Sequence, residues 1–266
     1  MNKVAIYTVL TGGYDKVKNP LVLDDRFDYI LFTDENEKNN DGVWDVRKIP
    51  SDISDKQLLS RYPKINPISF LDEYEYSVYM DANVQIASAK FYENIIQLVS
   101  KGVKLAGVKH QTRDCLYEEG FRILISYPNI NRMQLLTQMA SFKKDGFPYK
   151  FGMYEANVIF RVHKDEQVVM LCNSWWRIYK NSVRRDQLSY SYVLWKLNFS
   201  FCYLLPENEN ARNSNLLNFY EHPNGKKIMM KRSRKLLKFV YPLLFFFYKR
   251  LIELMSMRSL SDCQEK

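Results

Sequence analysis

Residues 76–86 read YSVYMDANVQI, Tyr76 through Ile86. A short apolar run, Tyr76 to Met80, stops at Asp81, and two polar residues, Asp81 and Asn83, bracket Ala82. An apolar run of this length with polar ends is the pattern of a strand buried in an α/β sheet. In open sheets of that class ligands bind beyond the carboxyl ends of the strands, which is where Asp81 falls. Residues i and i+2 of an extended chain point the same way, so Asp81 and Asn83 present two oxygen donors on one side. Hard cations such as Mg2+ and Mn2+ take oxygen ligands. The same pair also suits a strand-ending turn, so this stretch alone leaves both uses open.

Working outward, strands and helices alternate. Val4–Leu10 reads as a first buried strand and runs into Thr11-Gly12-Gly13-Tyr14-Asp15. Paired glycines there allow close backbone approach to a ligand or simply a tight turn. Phe27–Thr33 reads as a second strand ending at Asp34, placed to hold a ribose or base or to end the strand in a turn. Trp44–Ile49 alternates as a more exposed third strand. Asp52 is positioned to cap a helix over 55–62, and Arg61 and Lys64 sit in the stretch SRYPKINPISFL before the Asp81 strand, either meeting phosphates or lying solvated.

Beyond the opening stretch, Ser88 precedes a helix over 91–100 and Val103–Val108 reads as a strand. His110, Arg113 and Glu118 follow in a polar segment whose plainer reading is an Asp114-capped helix. A helix over 132–143 ends at Gly146. Glu155 falls in a loop before a strand that starts at Asn157, as a candidate general base or sugar-hydroxyl ligand. Residues 164–179 are helical, with Trp175 and Trp176 assigned to the core rather than to a sugar platform. Arg184, Arg185 and Asp186 open a helix over 188–197, where Asp186 also suits the positive helix end. His163 reads as structural or surface, and 199–205 as the last strand. His222, Gly225 and Lys227 form a compact polar turn in which imidazole can complete a metal shell and Lys can meet a pyrophosphate. The alternation argues for an α/β domain on a mixed, mostly parallel sheet.

The net charge of +9 is unevenly placed. Residues 226–266 carry 11 Lys/Arg against 3 Asp/Glu, and residues 1–225 carry 28 against 27. A near-neutral globule over 1–225 with a basic tail over 226–266 argues against a nucleic-acid partner. In the tail, Phe239–Tyr248 is uninterrupted apolar sequence of 10 residues, against about 20 for a spanning helix. Flanking Lys231, Arg232, Arg234, Lys235, Lys238, Lys249 and Arg250 suit anionic headgroups, so the tail reads as a basic amphipathic helical segment at a membrane surface. Packing onto the domain or onto a second copy is the other use of such a helix. The four Cys show no CxxC, no secretory signal is visible, and the expected location is the cytoplasmic face of the membrane.

Six pieces, IYTVLTGGYD, RYPKINP, YSVYMDANVQI, KHQTRDCLYEE, GMYEANVIFR and RRDQLSYSYVLWK, come in an order that resembles the glycosyltransferase-like family once catalogued as domain of unknown function 616. The resemblance covers roughly residues 4–205 and implies a GT-A-like, Rossmann-like domain that binds a nucleotide-diphosphate sugar. It implies that Asp81–Asn83 is a form of the Asp-x-Asp metal motif with Asn83 in place of the second Asp. One carboxylate fewer should weaken a Mn2+ or Mg2+ site. It places Thr8, Gly12, Tyr14 and Asp34 against the nucleotide. HPNGKK is similar to the His-x-x-Gly-x-Lys segment of glycogenin-like retaining transferases, which implies His222 as metal ligand and Lys227 at the diphosphate. Lys64 and Arg185 are then further cations for the leaving group, and Glu155 and Asp186 candidates for acceptor binding or base. The expected function is sugar transfer to a lipid-linked glycan. A glycoside hydrolase and a catalytically altered glycan-binding or scaffold protein are the alternatives.

Overall fold

The computed structural model describes residues 3–13, 16–34, 42–50, 52–221 and 231–261, with the backbone alone for 231–239 and 258–261. Its centre is β1 (Val4–Leu10), whose seven residues are all buried. A strand covered on both faces has no polar side, which is why its sequence is continuous rather than alternating. β1 pairs in parallel with β2 (Phe27–Thr33) and β4 (Tyr76–Met80), and β2 pairs in parallel with β3 (Asp45–Lys48). Next to β4 lies β7 (Tyr154–Val162), antiparallel to it, then β6 (Leu105–Lys109) and the two-residue β8 (Cys202–Tyr203). The order is β3-β2-β1-β4-β7-β6-β8, a mixed and mostly parallel sheet. A separate pair joins β5 (Val84–Ile86) to β9 (Leu217–Phe219).

Helices cover both faces. Ala5, Tyr7 and Val9 point into a core shared with α1 (Lys56–Ile65), α3 (Leu116–Ser126), α4 (Arg132–Lys144), α5 (Glu166–Asn181) and α6 (Asp186–Lys196). Val4, Ile6 and Leu10 point into the other, with α2 (Lys90–Ser100). The period-two alternation of β1 thus feeds two cores. Trp175 is fully buried and Trp176 stacks on Tyr62 at 4.8 Å, so both are core residues, as the sequence suggested. The basic tail forms α7 (Lys231–Ser261), with Pro242 inside it. Its Tyr248 and Ile252 are buried, and Tyr241, Phe245 and Tyr248 close on Phe121 of α3.

Several expectations are corrected. Asp55, not Asp52, caps α1: its side chain accepts the amide of Leu58, the ordinary N-cap bond. That helix also runs through Pro63 to Ile65, and the carbonyls at its end, which a helix leaves unbonded, find other partners. Tyr7 Oη donates to Pro63 O at 3.2 Å, and Arg161 Nη1 to Lys64 O at 2.8 Å. α3 starts after Cys115, without an Asp114 cap. Glu155 lies within β7 rather than in a loop before it. The expected last strand shrinks to β8, and β9 carried no sequence expectation; three residues are too few for a periodic signal.

His163 closes the base of the sheet. It is 3% exposed, with Nδ1 donating to Leu71 O at 3.0 Å and Nε2 accepting from Ser77 Oγ at 2.7 Å. Burial pushes the imidazole from the ordinary 6.5 down to about 4. The unfolded chain therefore takes a proton below 6.5 that the native state refuses until about 4. This contribution to stability is complete above 6.5 and is lost as pH falls toward 4. Urea titrations between these values should lose up to about 1.4 kcal/mol per pH unit for each such histidine. His163→Gln should make that slope shallower by about one proton; an unchanged slope would contradict the assignment.

Candidate active site

The site is built where the parallel strands end. At the end of β4, Asp81 N donates to Asn157 O of β7 at 2.8 Å, and Asp81 O accepts Val84 N at 2.9 Å. Asp81 thus opens a tight turn, the plainer of the two uses of this stretch, and its side chain is 31% exposed. Its Oδ1 accepts from Tyr79 Oη at 2.6 Å and from Lys64 Nζ at 3.2 Å. Burial, then the neighbouring Asp81 charge, pushes the Tyr79 phenol well up, so it remains a donor at neutral pH.

Lys64 joins two carboxylates. Its side chain is 2% exposed, and its Nζ also donates to Asp186 Oδ2 at 2.7 Å, with Arg61 Nε 3.5 Å from the same oxygen. Asp186 is the first residue of α6, where the helix dipole favours negative charge. Burial by itself would raise this carboxyl. The Lys64 and Arg61 charges, with a further contribution from Arg185, outweigh it and hold Asp186 well below the ordinary carboxylate range. The ammonium is fixed from behind as well: the Lys64 backbone is gripped by Arg161, fully buried in β7, and Tyr7 lies against the same turn. Four charged side chains, Arg61, Lys64, Asp81 and Asp186, thus form one balanced cluster, as burial of charge demands.

The glycine loop lies beside it. Gly12 and Gly13 have φ of 63° and 59°, a left-handed conformation that favours glycine. Gly12 N donates to Asp34 Oδ1 at 2.9 Å, so Asp34 ties the end of β2 to the loop. Thr8 faces a narrow crevice shared with Lys18, Trp44 and Asp81, and its buried Oγ1 has no protein partner. Asn83 is 2% exposed; its Nδ2 donates to Tyr220 O at 2.7 Å, and Tyr220 N donates to Asn83 O at 2.9 Å. Asn83 therefore clamps the strand that leads toward His222. Its Oδ1 is buried without a protein partner, leaving free the atom through which an amide holds a cation. Among the described residues no three His, Cys, Asp or Glu side chains cluster as a metal site. Asp81 and Asn83 carry the oxygen donors that a Mg2+-like ion takes, but the turn at Asp81 ends the extended backbone that would set them on one side, and the crevice is lined by Asp81 and not by Asn83. Tyr14, His222 and Lys227 lie outside the described residues.

Glu155 stands on the far side of Asp81. The β6–β7 pairing jumps from Gly107–Ile159 to Val108–Glu155, and such bulges re-aim side chains. Arg212 Nη1 grips both Glu155 oxygens at 2.6 and 2.7 Å, and Asn157 Nδ2 donates to Oε2 at 2.6 Å. Since Asn157 O also bonds Asp81 N, the bulge carries both acids. His110, at the end of β6, accepts the amides of Thr112 and Arg113 on Nδ1. Burial, then the charges of Arg113, Arg212 and Arg122, pushes it down to about 4, so at neutral pH it presents an N–H on Nε2. Arg185 lies over the Tyr127 ring at 4.5 Å, flanking Asp186.

Sequence reasoning did not single out Tyr79, Arg161 or Arg212. Arg161 was readable in principle, as a charge inside the apolar run VIFRV. Tyr79 passes for a core aromatic, and Arg212 lies in a polar stretch without periodicity.

The fold defines an α/β protein with a charged cluster, Arg61, Lys64, Asp81 and Asp186, at the carboxyl ends of its central strands. Residues 3–222 match the family described as TOD1/MUCI70, glycosyltransferase-like domain, and the chain belongs to that family. Among solved structures it is similar to the apo structure of the WbbM bifunctional glycosyltransferase, with 13% identity, a TM-score of 0.43, and coverage of 77% of this chain and 39% of that one. The chain thus spans about two fifths of that structure's length. No curated protein matches it.

Lys64→Met should leave Asp81 and Asp186 facing each other without their shared cation. A loss on the order of 3 kcal/mol in urea unfolding is expected, the low end for a broken buried pair because Asp81 keeps water contact. Adding Asp186→Asn should restore part of it. A single variant as stable as the wild type would contradict the bridging role.

Proposed function

We propose that the chain is a GT-A-type glycosyltransferase that moves a sugar from a nucleotide-diphosphate donor to a glycan acceptor, lipid-linked in the cell. The observation that carries this reading is the buried Lys64 ammonium shared by Asp81 and Asp186 at the carboxyl ends of the strands, beside the Asp34-tied glycine loop. Thr8, Gly12 and Asp34, with Tyr14, hold the nucleotide. Asp81, with His222, would hold a divalent metal, which when bound neutralises charge on the diphosphate. Lys64, Arg185 and Lys227 are the protein's own cations for the leaving group.

In the reaction the bond from the anomeric carbon to the diphosphate oxygen breaks, and the acceptor oxygen bonds to that carbon. The acceptor hydroxyl must lose its proton. While Lys64 holds it, Asp186 is a weak base. Charge developing on the departing diphosphate competes for the same ammonium. As Lys64 turns toward that charge, Asp186 loses its strongest partner and its proton affinity rises toward the ordinary carboxylate. Proton uptake is thereby timed to leaving-group departure. Glu155, fixed by Arg212, orients acceptor hydroxyls, and His110 donates to them. The hydrolase alternative calls for a carboxylic acid that stays protonated near neutral pH, and Asp186 is held in the opposite direction.

A purified wild-type protein should gain thermal stability with nucleoside diphosphates, because ligands that bind only the native state raise it. Asp81→Ala should abolish transfer from the sugar nucleotide that binds, at least a thousandfold if both metal and leaving-group contacts depend on it. Unaltered turnover would refute the assignment. A protein that binds glycan but no nucleoside diphosphate, with or without Mn2+, would favour the scaffold alternative.

Membrane contact, on the cytoplasmic face, belongs to the same proposal. No helix among the described residues is long and apolar enough to cross a membrane. On α7, which packs on α3 and α4, Leu243, Leu244, Phe247, Leu251 and Leu254 are 41–59% exposed. Their three-and-four spacing makes one stripe, and the basic residues of the first turns suit anionic headgroups. Replacing Leu243, Phe247, Leu251 and Leu254 by Ser should abolish co-sedimentation with anionic vesicles without lowering Tm. Binding that survives would refute the membrane role of this face.

A further inference from the structure

On the helical side of the sheet a groove of about 700 Å³ runs between α4, α5 and α6. That volume is within the range of small-molecule sites, roughly 300–1,000 Å³. Successive turns of α4 line it with Gln134, Thr137, Gln138 and Ser141, and α5 adds Ser174 and Asn181. Phe142 and Tyr192 also line it, stacked with centroids 3.8 Å apart. The ionic pair in its lining is closed on itself: Lys196 Nζ donates to Asp145 at 2.6 Å, and Tyr192 Oη bonds the same carboxylate.

Gln138 is the informative residue. It is 6% exposed, yet neither its amide nitrogen nor its amide oxygen has a hydrogen-bond partner. A buried amide unpaired at both ends destabilises a fold, and an apolar side chain of the same shape would serve the packing better. Its place in the wall of a roomy groove gives it a different use. An amide offers one donor group and one acceptor, which matches adjacent sugar hydroxyls, each able to give and to accept. The Ser and Thr hydroxyls beside it have the same dual character, and Met133, Ile178 and Leu197 add apolar surface to the lining.

Asn131 and Ser182 also line the groove. Asn131 caps α4 four residues after Tyr127, the ring on which Arg185 lies. Ser182 precedes Arg185 by three residues and Asp186 by four. Arg185 and Asp186 do not themselves line the groove, which borders the segment that precedes them in the chain.

We propose that this groove binds an oligosaccharide, with Gln138 turning its amide onto vicinal hydroxyls as the ligand enters. That the oligosaccharide is the acceptor chain rests on the transferase reading; the site itself does not. Saturation-transfer NMR and titration with neutral linear trisaccharides of glucose, galactose, mannose and N-acetylglucosamine test it. At least one should bind the wild type at millimolar concentration or below. Gln138→Leu should weaken that binding about tenfold, the value of one well-made hydrogen bond. The same variant should keep or raise Tm and leave the thermal shift by nucleoside diphosphates where it was. A panel without a binder, a variant that binds as tightly as the wild type, or a fall in Tm showing an internally paired amide would each overturn the proposal. Trisaccharide binding in a protein that ignores nucleoside diphosphates would support the groove and count against the transferase reading.

Discussion

A lysine ammonium removed from water must be paired or it will not stay charged, and this constraint organises the edge where the central strands end. Lys64 reaches its place only because α1 continues past Pro63, and Tyr7 and Arg161 take the end carbonyls that a helix leaves unbonded. Arg161 comes from β7, Tyr7 from β1, Asp81 from β4 and Asp186 from α6. Four separate elements therefore converge on one nitrogen and its backbone. A cluster of this kind is a weak source of net stability but a strong determinant of arrangement, since any one element out of register strands a charge.

The same logic shows why the sheet was legible from sequence and much of the site was not. Val4–Leu10, Phe27–Thr33 and Tyr76–Met80 are mostly apolar because both of their faces are covered, and the last two end at the acids Asp34 and Asp81. Local pattern was enough for these. Lys64 looked like one of two basic residues before the Asp81 strand, equally suited to solvent. Its role depends on Asp186, 122 positions away, and no spacing rule carries that information. Glu155 was placed in a loop because the bulge in β7 breaks the periodicity that would have assigned it to the strand. Arg212 had no local signature at all; only the fold brings it to Glu155.

The turn at Asp81 leaves its side chain free for other contacts. The backbone of Asp81 makes the turn, the side chain points to the cluster, and Asn83 uses its amide nitrogen to hold the returning strand while its oxygen keeps no protein partner. A single residue type satisfies structure with one atom and leaves another for chemistry. Gln138 repeats the pattern away from the strand ends, with both amide atoms unmatched. The tail shows it at the level of a helix: part of the apolar surface of α7 is used in packing on α3 and α4, and part is exposed. In each case the part left over after the fold is satisfied is the part that suggests a ligand.

The central claim concerns what Lys64 does when a leaving group arrives. The most direct measurement is a crystal structure of the full chain with a nucleoside diphosphate. The account predicts the Lys64 ammonium within hydrogen-bond distance of the terminal phosphate, with its 2.7 Å contact to Asp186 lengthened or lost. A bound diphosphate that leaves Lys64 bridging Asp81 and Asp186 as before would contradict it.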